Sequence, residues 1–155
     1  MTRIARGGKH IFGWSRVRED GTFAVPQEAI EEYGLSPRER LIVVGGSRSS
    51  GGFSIIGSDR LERSPLREGL EKIHGILSGS IDEGSAVAEG DRCYSRTSLR
   101  ENGTAFLRIE TLLSFDIHPG DLLLVIRGSG LGPSFACRGP IVESARGHPE
   151  IRIFG

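Results

Sequence analysis

Arginine supplies most of the chemistry this sequence can do. Of its 20 basic residues, only Lys9 and Lys72 are lysines. The guanidinium is the side chain whose planar fork matches a phosphate or a base edge. Residues 1 to 18 carry Arg3, Arg6, Lys9, Arg16 and Arg18 and no acid at all. Arg16 and Arg18 stand two apart, a spacing that puts both on one face of a strand. A GC-rich genome would also raise the arginine count, and it is the plainer cause of the bias. Placement carries more information than the count. Arg3, Arg6, Lys9, Arg16 and Arg18, joined by Arg100, form the candidate binding set, suited to phosphates or base edges.

Other chemistries lack their signatures. The glycine-rich stretches Gly45–Gly52 and Gly128–Gly132 complete neither a Walker A pattern nor a dinucleotide fingerprint. Each falls between two expected strands and reads as a hairpin loop, although backbone amides in such loops can hold an anion. His10, His74, His118 and His148 have no HExxH or i, i+4 partner, so no metal site is expected. Cys93 and Cys137 are far apart, and no GxSxG is present, so no catalytic residue is assigned. The chain is expected to be no enzyme and to take no cofactor.

The charge sum is zero, 20 basic against 20 acidic residues, which weighs against indiscriminate polyanion binding. No apolar run of about 18 residues spans a membrane. The N-terminus is basic but lacks a signal peptide's apolar stretch. Two unpaired cysteines suit a reducing, cytoplasmic setting.

The arginines sit on a repeated frame. Residues 18–57 recur at 100–139 without a gap, at an offset of 82, with twelve of the forty positions identical. Arg18-Glu19-Asp20-Gly21-Thr22 returns as Arg100-Glu101-Asn102-Gly103-Thr104, Pro37 as Pro119 and Phe53 as Phe135. One unit of about forty residues is too small for its own core, so the halves should fold together about a pseudo-two-fold axis. In each unit the pattern predicts a strand, a Gly turn, a second strand, a short helix, a Pro turn and an apolar hairpin. The first runs His10–Arg18, Thr22–Val25, helix Gln27–Tyr33 with Pro26 at its first position, Leu41–Val44 and Phe53–Ile56. Gly34 ends that helix as a left-handed residue. The second has helix Ile109–Phe115, strand Leu122–Ile126, loop Gly128–Pro133 and return strand Ser134–Arg138. Arg38-Glu39 replaces Gly120-Asp121, so the first turn is expected to avoid the positive φ that suits glycine. Between the units, Ser64 and Pro65 open an amphipathic helix over 65–77 with Leu66, Leu70, Ile73 and Leu77 on one face, expected to be core. Residues 78–91 read as a linker, and 150–154 as a closing strand. Trp14 is expected in the core.

The order strand, Gly turn, strand, Pro-started short helix, "GL-x-P" turn, apolar hairpin resembles the AbrB/MazE/SpoVT family of swapped-hairpin DNA-binding domains. Gly21-Thr22-Phe23-Ala24-Val25-Pro26, Glu28, Tyr33-Gly34-Leu35 and Leu41 to Val44 carry the resemblance. Gly103, Ile117, Pro119-Gly120-Asp121 and Leu122 to Ile126 carry it again. The resemblance implies a mainly β fold with short helices: a swapped-hairpin β-barrel to which one chain supplies both copies. Its units would be a first repeat over 10–63, a bridging helix and linker over 64–91, and a second repeat over 92–155. It implies a transcriptional regulator whose DNA contacts come from the first strand and its turn, with DNA as partner and a homo-oligomer admissible. The short helix carries Glu31 and Glu32, which would repel phosphates. They leave open an alternative, a non-catalytic protein-interaction or antitoxin-like module on the same barrel.

Overall fold

Asp20-Gly21 turns the chain because the Asp20 side chain folds back on the backbone two residues ahead, and Gly21 takes φ 86°. A Cβ at Gly21 would lie 2.2 Å from the Leu107 carbonyl oxygen, so the residue is glycine for space as well as for angle. From such local decisions the chain builds a mainly β fold. A computed structural model describes residues 2–3, 10–46, 51–73 and 75–155.

The strands are β1 (Thr2–Arg3), β2 (His10–Arg16), β3 (Thr22–Ala24), β4 (Arg40–Gly45), β5 (Phe53–Gly57), β6 (Ala86–Glu89), β7 (Arg92–Ser98), β8 (Thr104–Phe106), β9 (Leu122–Ser129), β10 (Gly132–Ala136) and β11 (Ile153–Phe154). Short helices intervene: α1 (Gln27–Tyr33), α2 (Ser58–Glu62), α3 (Leu66–Leu70), α4 (Ile109–Ser114) and α5 (Pro140–Arg146). Among the described residues the main sheet runs β1-β2-β9-β10-β5-β4-β7-β6, with β11 parallel to β2, and β3 pairs with β8 separately.

Each hairpin is paired to the first long strand of the other half. In β2 against β9, Trp14 faces Leu124 and Arg16 faces Leu122. In β7 against β4, Arg96 faces Ile42 and Ser98 faces Arg40. Adding 82 to the β2 residue and subtracting 82 from the β9 residue turns each pair of the first set into a pair of the second, so the two ladders share one register. Two pairs map onto themselves under the same operation: Phe53 opposite Phe135, and Phe23 opposite Ala105. The ladder of β2 is irregular between Ile11 and Gly13, where β7 is regular.

Both halves feed one central core, in which Phe23, Phe53, Phe135, Leu41 and Leu123 are fully buried. Two smaller clusters cover the outer faces of the hairpins. Ile11, Trp14, Leu124, Val142, Ala145 and Ile151 form one, and Trp14 is core as expected. Ile42, Ile56, Leu61, Leu70, Ile73 and Ile76 form the other.

Several expectations are corrected. The turn at Arg38 does not avoid positive φ: Arg38 sits at 68°, matching Gly120 at 95°. The same two bonds to the other half are made by both turns: Arg38 N to Leu99 O at 2.6 Å and Leu99 N to Glu39 O at 3.2 Å, and Gly120 N to Val17 O at 2.7 Å and Val17 N to Asp121 O at 2.9 Å. The register therefore overrides the residue's own preference. Gly34 ends α1 at φ 62° as read from sequence, and Asp116 takes the same conformation after α4 at 64°. Pro26 is the N-cap rather than the first helical residue, with ψ 140°.

The helix expected over 65–77 is confined to Leu66–Leu70. Gly69 weakens it and Gly75, at φ 78°, ends any continuation. Leu70 and Ile73 are buried as predicted, whereas Leu66 is exposed. The linker over 78–91 contains β6, and the loop over 128–133 contracts to a turn at Gly130-Leu131 between β9 and β10. Of the closing strand only Ile153–Phe154 pairs. Helices α2 and α5 were not anticipated, and they occupy matching places after the two return strands.

Candidate nucleic-acid interface

The two turns that carry Arg18 and Arg100 are built the same way, bond for bond. Arg18 N donates to Thr22 O at 2.9 Å and Gly21 N to Arg18 O at 3.0 Å; the second turn repeats these at 2.8 and 2.9 Å. Asp20 Oδ1 accepts from Thr22 N and Oγ1 at 3.0 and 2.6 Å. Asn102 Oδ1 accepts from Thr104 N and Oγ1 at 3.2 and 2.7 Å. Each turn is also fastened to the opposite half, by Leu107 N to Gly21 O at 3.1 Å and Val25 N to Gly103 O at 2.8 Å. Arg18 and Arg100 thus stand exposed at equivalent corners on rigid backbone.

The surroundings of the two guanidinium groups differ. Arg100 lies over the Phe106 ring, 5.6 Å from its centroid, while Ala24 holds the equivalent place beside Arg18. Next to Arg18, the bonds from Thr22 hold the Asp20 carboxyl below the usual carboxylate range, so it is charged at neutral pH. Its counterpart Asn102 is neutral.

Arg16 ends β2, exposed, with Nη1 3.5 Å from Gly120 O. Its counterpart Ser98 is half-buried and uncharged. Arg18 lies past the end of the strand, so the two arginines do not share a strand face; they share a corner. Arg3 is in β1, its backbone opposite His10, while Arg6 and Lys9 lie outside the described residues. Arg16 and Arg18 fall at one corner and Arg100 at its equivalent.

A cation missed from sequence completes the second corner. Arg38 Nη2 donates to Glu101 Oε1 at 2.9 Å, a pair spanning the two halves. The alignment of Arg38 with Gly120 was the signal, since the extra side chain stands where its counterpart has none.

The acids of α1 separate in role. Glu32 is held by Arg127 from β9, with Arg127 Nε donating to Oε2 at 2.7 Å and Nη2 to Oε1. That guanidinium holds the Glu32 carboxyl below its ordinary range. The Glu32 main-chain oxygen accepts from Arg60 Nη2 at 3.3 Å, and the same guanidinium covers the Tyr33 ring at 5.4 Å. Glu32 therefore presents little free negative charge. Glu31 is exposed, its carboxylate accepting from Gln27 at 3.3 Å.

Among the described residues no group of three or more His, Cys, Asp or Glu is placed to hold a metal ion. Cys93 and Cys137 are free thiols, and burial pushes Cys137 up to about 11, the opposite of an activated nucleophile. No described helix is long and apolar enough to cross a membrane. No protein-family model, curated protein or solved structure matches the chain.

Proposed function

We propose that the chain is an AbrB-like DNA-binding transcriptional regulator, a swapped-hairpin barrel assembled from two tandem units over 10–63 and 92–155. The observation that carries this reading is the pair of identical turns presenting Arg18 and Arg100 at positions related by 82 residues. A duplex offers phosphates in two-fold register, and a matched pair of exposed arginines on rigid turns suits them. Arg16 adds positive charge on the side of Arg18, and Arg3, Arg6 and Lys9 supply further cations in the sequence ahead of it. The pairing of each hairpin with the other half's first strand supports the barrel topology, and the sequestering of Glu32 by Arg127 lowers the repulsion its helix would impose.

Electrophoretic mobility with random genomic fragments, at low and moderate salt, tests the proposal. Binding should weaken in the Arg18→Ala/Arg100→Ala double variant. The slope of log affinity against log salt should fall by about two, one phosphate contact per arginine. Unchanged binding in that variant would remove these residues from the interface.

A protein-interaction module on the same barrel is the second reading. It is favoured by the zero net charge and by the exposed Arg38–Glu101 pair, which gives one corner a mixed character. Wild-type protein that retards no fragment at low salt selects it.

A further inference from the structure

The outer faces of the two hairpins are finished differently. In the first half, Ile73 and residues 75–81 lie across the face as a strap. Ile73 and Ile76 are buried against Ile42 and Ile56, Arg40 Nη1 donates to Leu77 O at 2.6 Å, and Arg96 Nε donates to Ile81 O at 2.6 Å. The counterparts of Arg40 and Arg96 in the other half are Leu122 and Trp14, and among the described residues no strap crosses there. After α5 the chain passes through Ile151 and joins β2 as β11, and an open cleft of about 720 Å3 remains. That is the size of a site for a small organic molecule.

The cleft mixes apolar and polar walls, and a cation, Arg16, and an acid, Asp121, both line it. Trp14, Leu122 and Ile151 supply apolar wall. Most charged groups on the rim are already matched: Arg138 with Asp116 at 3.0 Å, Arg146 with Glu143 at 2.7 Å and His148 with Glu150 at 2.7 Å. Asp121 accepts from His118 N at 2.8 Å. Arg16 differs from the other arginines there. Among the described residues no carboxylate stands within ion-pair distance of it, and its hydrogen bond to Gly120 O is long, at 3.5 Å. We infer that this cleft binds a small organic anion, with a flat apolar body against Trp14 and Leu122 and its negative group on Arg16. Arg16 also belongs to the proposed DNA-contacting set, but the cleft is tested in the DNA-free protein and Arg18 takes no part in it, so failure of one reading is distinguishable from failure of the other.

Trp14 is the chain's one tryptophan, so the site contains its own reporter. The probe is 8-anilinonaphthalene-1-sulfonate, an aromatic body with one anionic group, titrated against the DNA-free protein. One saturable site per chain is expected, with quenching of Trp14 emission. Arg16→Ala should weaken it about tenfold, the equivalent of about 1.4 kcal/mol. Ile153→Glu, an acid at an exposed position on the rim, should weaken it similarly, while Arg16→Lys retains most of the affinity and Arg18→Ala all of it. N-phenyl-1-naphthylamine, which lacks the charge, should bind about tenfold more weakly than the sulfonate. Absence of a saturable site overturns the inference. So does equal affinity for the uncharged probe, or sulfonate binding that Arg16→Ala and Ile153→Glu leave untouched. Circular dichroism on the same samples separates lost binding from lost fold.

Discussion

Phe135 lies directly opposite Phe53 across the β5–β10 boundary, and the two rings stack with centroids 4.9 Å apart and planes 16° from parallel. Each is the other's counterpart at the 82-residue offset, so the contact joins the halves at the point where they are equivalent. Phe23 sits edge-on to both, at 5.2 and 5.3 Å. Its own counterpart is Ala105, directly across the β3–β8 ribbon. One large ring and one methyl share that position.

Removing either stacked ring should therefore damage both halves alike. Phe53→Ala and Phe135→Ala are each expected to cost about 3–5 kcal/mol. The double variant should cost less than the sum, because the first substitution already removes the contact. Urea denaturation measures all three; strict additivity would show that the rings act in separate cores.

Arg38 offers a gain in stability. It holds φ 68° where its counterpart is Gly120. Its bond to Glu101 joins side chains 83% and 71% exposed, a pairing worth little in water. Arg38→Gly relieves about 1–2 kcal/mol of left-handed strain and gives back part of it in unfolded-state entropy. The expected net is a stabilisation of about 0.5–1 kcal/mol, seen as a higher melting temperature. Asp116→Gly should yield less, since aspartate tolerates this conformation better and Asp116 also holds Arg138.

The Glu32–Arg127 pair sets a pH dependence. The Glu32 carboxyl titrates below its ordinary value of 4.5 in the folded chain. Its contribution is thus fully present above that value and is lost as pH falls through the lower, folded one. The two side chains are 28% and 40% exposed, and solvent screening holds the contribution to about 1 kcal/mol. Glu32→Gln should be less stable by that amount at pH 7, and the gap should close in acid. Melting temperatures from pH 7 down to pH 2 give the comparison; a gap that stays constant would detach the effect from ionisation.

Much of the frame was legible because it rests on local chemistry. Asp20-Gly21 and Asn102-Gly103 specify their turns through bonds within five residues, and Gly34 terminates α1 by its own conformational freedom. The failures share a cause at longer range. Arg38 takes a glycine's backbone angle because Leu99, from the other half, holds its amide. The apolar spacing of Leu66, Leu70, Ile73 and Leu77 reads as one helix, yet Leu70 and Ile73 are buried by a chain that turns at Gly75 and runs on as a strap. Most of the candidate set was visible as arginines on a strand and its turns. That Arg127 takes Glu32 out of play was not, because the two are 95 residues apart.

The pairing of β2 with β9 also bears on how the chain is made. Trp14 leaves the ribosome 110 residues ahead of Leu124, its partner in the ladder. Until the second hairpin emerges, β2 waits with that edge unmatched, and β4 likewise until β7 follows. Contacts this distant along the chain close slowly, and bare strand edges attract other chains meanwhile. Synthesis therefore passes through a half-finished interval in which the nascent first half exposes strand edges that its own second half later covers.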